Sequence, residues 1–331
     1  MPLSLPRLRG RRALLSAAAV LVALGLLLWW LLPMGPPSPK GTVRFSTGID
    51  TGVYQLYGKR LQAAAARDLP DVTMRLMNSD GSQENVARVA TGRADFTIAA
   101  ADAVEKYIQE GGPGGDRLRG CVRLYDDYIH LVVRADSAID SIDDLRGATV
   151  GVGPEDSGVR LIAEQVLRAA GLDLYEDVDP TSYGIDTVDD RLEAGSIDAF
   201  FWSGGLPTNA ITELSKRTDI RLVPLGDLVD ALHRMGGVAR YYRSAVMPET
   251  AYARAQNGRP VTTLAVANLL VTTDRADRGL TEALTRAVID SRDTIGKAVH
   301  AAQLVDVRTA LYTDPLELHD GARRYYRSVK P

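Results

Sequence analysis

The amino-acid sequence predicts an α/β fold with parallel sheets, and three observations support this prediction. Short β-rich runs alternate with amphipathic helical patterns, an order typical of parallel sheets with helices on both faces. No internal repeat or low-complexity tract interrupts this alternation after residue 40. The part of the 331-residue chain that follows residue 40 is long enough for two lobes, each with its own core.

The individual elements follow from these patterns. Strand-like runs lie at residues 43–46, 72–77, 96–99, 129–133, 149–152 and 197–202, and helical patterns lie at residues 53–67, 83–91 and 159–170. A further helix is predicted to begin at Ser141, where a serine N-cap precedes two acids in the first turn. In such sheets ligands bind beyond the carboxyl ends of the strands, so we expect the function to lie in the loops that lead into helices.

The charge of the chain is unevenly distributed. The net charge is −3, but residues 1–40 hold five basic residues and no acid, so the remainder carries −8. An acidic body without a basic run argues against nucleic-acid binding, which needs clustered Lys and Arg.

The N-terminus predicts a membrane segment. Residues 13–32 form an uncharged, almost wholly apolar run after four arginines. Twenty residues at ~1.5 Å per residue span about 30 Å, the hydrocarbon thickness of a bilayer, and the positive-inside rule directs the body outward. The run is long and no small-x-small site follows it. We therefore predict that residues 1–40 comprise a cytoplasmic basic tip, an uncleaved anchor at residues 13–32 and a Pro-rich spacer at residues 33–39; a cleaved export signal is the alternative. Either way, the body is expected outside the cytoplasmic membrane.

Three strand-to-helix loops share one chemistry. Loop one covers residues 46–54, loop two residues 78–85 and loop three residues 153–158, and each contains Gly together with Ser or Thr. Glycine lets a ligand approach the backbone, hydroxyls donate and accept hydrogen bonds, and the N-terminus of the following helix favours an anion. The alternative is that these residues only cap helices.

A fourth segment follows the strand-like run at residues 197–202. Trp202 stands at its end, and Gly205 and Pro207 follow, a composition that suits a pocket wall. Trp202 in the core, and Tyr54 as the first apolar anchor of its helix, are the alternatives.

These segments resemble the TAXI family of solute receptors for TRAP transporters over nearly the whole body. The similarity is carried by Gly52-Val53-Tyr54, Gly81-Ser82 with Glu84-Asn85, Gly92-x-Ala94-Asp95, the Ser137 to Gly147 helix entry, Ser157-Gly158, Gly195-x-Ile197-Asp198-Ala199-Phe200-Phe201, Gly205-x-Pro207, Met247-Pro248 and Leu318-His319-x-Gly321-Ala322. The resemblance implies a two-lobed periplasmic-binding-protein type II fold that closes over a small carboxylate or amino acid. It also implies delivery to a multi-span permease driven by an ion gradient, and a glutamate-like ligand.

With that architecture, residues 41–133 plus 242–331 form lobe 1 and residues 134–241 form lobe 2. Loops one and two then face loop three and the fourth segment across a cleft. The residues expected to contact the ligand are Thr47, Gly48, Tyr54, Gly81, Ser82, Asn85, Ser157, Gly158, Trp202, Gly205 and Pro207.

Each of the three loops departs from the family pattern by one aspartate: Asp50, Asp80 and Asp156. A carboxylate facing the cleft would repel a dianionic ligand by ~1 kcal/mol or more when partly desolvated. We therefore expect a ligand with an ammonium group, or a cation that bridges the aspartates; the alternative is that these side chains point to solvent as helix caps.

The sequence offers little for catalysis. Only four histidines occur, none in a metal-ligand or nucleophile-elbow spacing, and no P-loop is present. Acid pairs such as Asp126-Asp127 are interpreted as turns or helix starts. We predict a binding protein without metal or cofactor, partnered by a small molecule and a permease. The alternative is a membrane-anchored sensor or orphan binding protein that works with another membrane partner.

Overall fold

The computed structural model describes residues 8–31 and 38–329. The first of these segments is a single helix of 24 residues, α1 (Leu8–Leu31). Among the described residues, no helix combines the length and the apolarity that crossing a membrane requires. Residues 1–7 and 32–37, which include the end of the predicted anchor and most of the predicted spacer, lie outside the described residues.

The segment from residue 39 onward forms one compact unit of strands and helices. The strands are β1 (Gly41–Ser46), β2 (Val72–Met77), β3 (Phe96–Ala100), β4 (Leu118–Arg134), β5 (Thr149–Gly151), β6 (Asp179–Thr181), β7 (Ala199–Gly204), β8 (Ile220–Leu222), β9 (Arg243–Met247) and β10 (Val261–Thr273). The helices are α2 (Val53–Asp68), α3 (Ser82–Ala90), α4 (Ala101–Gln109), α5 (Gly158–Ala169), α6 (Ile185–Glu193), α7 (Asn209–Arg217), α8 (Val229–Met235), α9 (Ala253–Gln256), α10 (Arg278–Asp290), α11 (Arg292–Gly296) and α12 (Asp320–Val329).

All ten strands belong to one sheet in the order β2-β1-β3-β10-β4-β7-β5-β6, with β8 beside β4 and β9 beside β10. The strands at both ends pair in parallel, whereas β4 and β10 pair antiparallel with each other and with their outer neighbours. The expectation of purely parallel sheets was therefore wrong at the centre, where two long strands connect the parallel parts.

The buried side chains fall into groups on either side of these two long strands. The first half, with β1–β3, α2–α4 and α10–α12, packs around residues such as Phe45, Leu61 and Phe96. The second half, with β5–β9 and α5–α9, packs around residues such as Ile162 and Phe200. Both β4 and β10 contribute side chains to both halves. They are therefore the two strands along which the chain passes from one half to the other.

Most predicted elements match the structure to within one or two residues, because their patterns are locally consistent. Two differ. The helix predicted from Ser141 is only a single 3-10 turn, Ile142–Leu145, although Ser141 and Asp144 do form the expected capping box. The strand predicted at residues 129–133 is the last third of β4, whose earlier part is interrupted by charged residues and was not recognised as a strand.

Candidate functional site

A cavity of about 780 Å³, open to solvent, lies between the two halves of the molecule. Its walls come from both halves. The first half contributes Gly48, Ile49, Gly52, Val53, Tyr54, Asp80, Gly81, Ser82 and Ala100, and the second half contributes Gly153, Pro154, Ser157, Gly158, Val159, Ile162, Tyr183, Gly184, Ile185, Val188, Phe201, Trp202 and Ser203. The central strand β4 contributes Asp127. Most of these side chains are apolar, so the cavity suits a small organic molecule with few polar groups.

Loops two and three touch each other over this cavity. The Gln83 side-chain amide donates a hydrogen bond to the Ser157 carbonyl at 2.8 Å, and the Glu84 backbone N–H donates to the Asp156 carbonyl at 3.3 Å. A Cβ placed on Gly81 would lie 3.5 Å from the Gly158 nitrogen. The two loops, which belong to different halves, therefore bring the first turns of α3 and α5 together.

Each of these two helices begins at the cavity wall. Ser157 is the N-cap of α5, where its Oγ accepts a hydrogen bond from the Arg160 N–H at 3.1 Å and donates one to the Pro154 carbonyl at 2.6 Å. Gly81 is the N-cap of α3, without a side-chain cap. The capping interpretation and the ligand interpretation thus coexist at Ser157, since a capping residue can still line the cavity. The backbone N–H groups of a helix's first turn have no partner within the helix and favour an anion.

A chain of hydrogen bonds supports the Tyr54 side of the cavity. The Ala100 N–H donates to Ser82 Oγ at 3.1 Å, and Ser82 Oγ lies 2.9 Å from the Tyr54 hydroxyl. That hydroxyl donates in turn to Asn268 Oδ1 at 2.5 Å, so Ser82 is the donor to Tyr54. Burial raises the pKa of Tyr54 well above its ordinary value, which keeps the phenol protonated as this donor. The chain fixes the positions of Tyr54 and Ser82.

Six of the predicted site residues line the cavity in the way the loops suggested: Gly48, Tyr54, Gly81, Ser82, Ser157 and Gly158. Thr47 and Asn85 do not line it. The Asn85 Oδ1 accepts from Ser46 and Ser79, and its Nδ2 donates to the Thr47 and Ile98 carbonyls. Asn85 is fully buried and joins loops one and two to the sheet, so it positions the lining residues rather than contacting the cavity.

The fourth segment lies mainly at a second cavity. Gly205 and Pro207 line this adjoining space of about 610 Å³ together with residues 298–301. Trp202 lines both cavities, and its Nε1–H donates to Thr208 Oγ1 at 3.1 Å. Trp202 therefore separates the two spaces, whereas Gly205 and Pro207 are away from the first.

The three aspartates have different surroundings. All three are exposed residues, but only Asp80 lines the cavity; Asp50 and Asp156 lie outside its lining. The Asp50 carboxylate accepts a hydrogen bond from Asn78 Nδ2 at 2.7 Å. Among the described residues, no group of three or more His, Cys, Asp or Glu side chains is arranged to hold a metal ion. A cation that bridges the three aspartates therefore has no support in this geometry.

Asp127 is the main residue that the sequence interpretation missed. It lies within β4, paired in register with Val266 of β10, and not in a turn. Burial raises its pKa to about 7, with a further contribution from Asp102, while Asn268 and Ser203 act in the opposite direction. Tyr183 and Ser203 were missed as well. Tyr183 precedes Gly184 at the start of α6, so it lies in one more glycine-containing strand-to-helix loop of the kind that predicted the others.

Residues 45–329 match the NMT1-like family. The chain belongs to this family. The match includes every residue that lines the cavity, so the site is part of the NMT1-like region and not an addition to it.

Solved structures share the fold of this NMT1-like chain at low sequence identity. An ancestral arginine-binding protein bound to arginine is 15% identical, with a TM-score of 0.50 over 78% of this chain and 98% of that one. A protein from Xanthomonas citri bound to ATP is 13% identical, with a TM-score of 0.50 over 87% and 99% of the two chains. A protein from Bordetella bronchiseptica RB50 is 17% identical, with a TM-score of 0.50 over 88% and 90%. These similarities establish a periplasmic-binding-protein-like α/β fold.

Proposed function

We propose that this protein is an extracytoplasmic receptor that closes over a small carboxylate or amino acid and delivers it to a membrane permease. The observation that carries the proposal is the contact between loops two and three, Gln83 to Ser157 at 2.8 Å, above a cavity lined by both halves. A ligand that touches both walls stabilises the closed arrangement by its greater affinity for that arrangement. The arginine-bound state of the similar ancestral protein supports the ligand class.

The proposed division into two lobes follows the strands that connect them. The predicted boundaries, residues 41–133 plus 242–331 and residues 134–241, place the second connection near residue 242. Met247 and Tyr252 pack in the second half, and the core changes sides within β10 between Val266 and Leu269. We therefore place the two connections in the middle of β4 and of β10, beside the cavity.

The transporter class and the location rest on the sequence. The loop motifs resemble those of TAXI receptors, which favours a TRAP-type permease driven by an ion gradient. The apolar run at residues 13–32 after four arginines favours a membrane anchor. A gene for a multi-span permease beside this one supports transport, whereas a neighbouring kinase gene supports a sensor.

The proposal is tested by thermal unfolding of the full-length protein in detergent with L-amino acids and with mono- and dicarboxylates. A ligand at a hundredfold excess over its Kd stabilises the folded state by about 2.7 kcal/mol. For a protein of this size, that is a rise in Tm of roughly 4 °C. We expect one chemical class to produce such a rise; no rise with any of these compounds would contradict the proposal.

A further inference from the structure

The wall of the cavity contains a buried carboxyl group with one unsatisfied oxygen. Asp127 is 5% exposed, and its Oδ1 has no hydrogen-bond partner among the described residues. Asn268, on the adjacent strand β10, is fully buried, and its Nδ2 likewise has no partner within the described part of the chain. Buried polar atoms are nearly always satisfied. Asp127 lines the cavity whereas Asn268 does not, so the unsatisfied oxygen of Asp127 is the atom that indicates a ligand contact.

The protein supplies no cation to this carboxylate. Among the described residues that line the cavity there is no Lys, Arg or His, and the only other acid is Asp80. Burying an ionised carboxylate without a counter-ion is costly, and this cost is what raises the pKa of Asp127. A cationic group in the cavity offsets the cost and favours the ionised carboxylate.

The N-termini of α3 and α5 favour an anion, the opposite of the cation that Asp127 favours. Helix α3 has nine residues and α5 has twelve, and Ser82 and Gly158, their first residues, both line the cavity. The Glu84 and Arg160 N–H groups already donate to the Asp156 carbonyl and to Ser157 Oγ. The helix dipoles and the other first-turn N–H groups favour a negative charge. The cavity therefore has one position for a cation and one for an anion.

Most of the remaining lining residues are apolar; the hydroxyl-bearing exceptions are Tyr54, Tyr183 and Ser203. Val159, Ile162 and Val188 come from the second half, and Val53 and Ala100 come from the first. Phe201 and Trp202 add aromatic surface. A second carboxylate on the ligand would meet mainly these apolar side chains or the carboxylates of Asp80 and Asp127.

We propose that the cavity binds a zwitterionic α-amino acid with an apolar side chain, with its ammonium group at Asp127 and its carboxylate at the N-termini of α3 and α5. This inference rests on the proposed receptor function and narrows its ligand class. It replaces a glutamate-like ligand with one of the leucine or phenylalanine kind. Asn268, whose Oδ1 accepts a hydrogen bond from the Tyr54 hydroxyl, is fully buried on the adjacent strand and is not among the residues that line the cavity.

The test uses four probes that differ by one group. L-Leucine has both charges, 4-methylpentanoate lacks the ammonium, 3-methylbutylamine lacks the carboxylate, and L-glutamate adds a second carboxylate. Binding of each to the full-length protein in detergent is measured by calorimetry. Losing one partner of a buried charge pair costs about 2 kcal/mol or more, which is roughly thirtyfold in Kd. We expect L-leucine to bind at least thirtyfold more tightly than each of the other three.

The matched variants are Asp127→Asn and Asp126→Asn. The Asp126 carboxylate pairs with Arg123 at 2.6 Å and with Arg243 and does not line the cavity. Asp127→Asn should weaken L-leucine binding at least thirtyfold and bring it close to that of 4-methylpentanoate. Asp126→Asn should keep the preference for L-leucine. Should Asp127→Asn fail to fold, the probe series on the unmodified protein still decides the question.

The outcomes separate this inference from the proposed function. If 4-methylpentanoate binds as well as L-leucine, or if Asp127→Asn keeps the full preference for L-leucine, the proposed position of the ammonium group at Asp127 is wrong. If L-glutamate binds more tightly than L-leucine, the inference that the ligand has an apolar side chain is wrong. In both cases the receptor function stands, because a ligand still binds. If neither the four probes nor the wider set of carboxylates and amino acids binds, the receptor function itself fails.

Discussion

Asp127 makes the stability of the ligand-free protein depend on pH. Its pKa is about 7 in the folded state, compared with an ordinary value of 3.8. Below pH 3.8 the carboxyl is protonated in both the folded and the unfolded state. Between these two values the folded state holds a proton that the unfolded state releases, so the free energy of unfolding falls as the pH rises from about 4 to about 7. Above pH 7 this contribution no longer changes.

The variant Asp127→Asn removes this titration. We expect the Tm of the variant, minus that of the unmodified protein, to increase from pH 4 to pH 7 and then to level off. Thermal unfolding without ligand across this range measures the difference. A difference that stays constant with pH would show that Asp127 is ionised at its ordinary pKa.

At the scale of residues, the sequence predicted which types of residue line the cavity better than it predicted which individual residues do so. Gly48, Ser82 and Gly158 line the cavity because glycine and serine in these loops permit close approach to the backbone. Asn85 has the same polar character, but its four hydrogen bonds go to the protein, and no sequence pattern distinguishes these two uses. Asp127 was misassigned because an acid pair without structural context is more typical of a turn than of a strand.

At the scale of elements, the decisive feature is how closely α3 and α5 approach each other. A Cβ on Gly158 would lie 3.3 Å from Ser82 Oγ across the cleft. That distance is tighter than ordinary contact, so a side chain at position 158 requires Ser82 to shift by a few tenths of an ångström where the two loops meet. In the proposed open arrangement the loops separate and this requirement disappears.

Gly158→Ala should therefore weaken ligand binding while leaving the ligand-free Tm nearly unchanged. Overpacking costs about 1 kcal/mol or more, which is roughly fivefold in affinity. Gly279→Ala is the matched control, because it lies in the first turn of α10, its Cβ would lie 3.2 Å from Asp277 Oδ1, and it does not line the cavity. Calorimetric titration of both variants measures the effect. Equal affinity in Gly158→Ala and Gly279→Ala would contradict closure by contact of these loops.

The sequence predicted the elements that have a local sequence signal, but it did not predict strands whose extent depends on pairing with distant strands. Hydrophobic periodicity and helix starts placed α2, α3 and α5 to within a residue or two. The length of β4 is set by pairing with β10 and β7, which lie far away in the sequence. Its charged positions, such as Arg119 and Arg123, hide the strand pattern, so the central antiparallel part of the sheet became visible only in the structure.

At the scale of the whole molecule, β4 and β10 join two halves, and the proposed function requires these halves to close over the cavity between them. Strand–helix alternation and chain length predicted two lobes, but they do not determine where the chain passes from one to the other. The side chains of β10 show the change, because Val266 packs with the second half and Leu269 with the first. Asp127 and Asn268 lie at this passage, which places the proposed ligand contacts beside the proposed hinge.

The most direct test of the account measures the distance between the halves. Cys121 is the only cysteine, and its burial raises the pKa of its thiol, so it will not react with labels. Lys59→Cys on α2 and Glu176→Cys between α5 and β6 provide exposed positions for spin labels. With the full-length protein in detergent, we expect the amino acid that raises Tm most to narrow and shorten the distance distribution measured by pulsed electron paramagnetic resonance. Identical distributions with and without that amino acid would contradict a receptor that closes over its ligand.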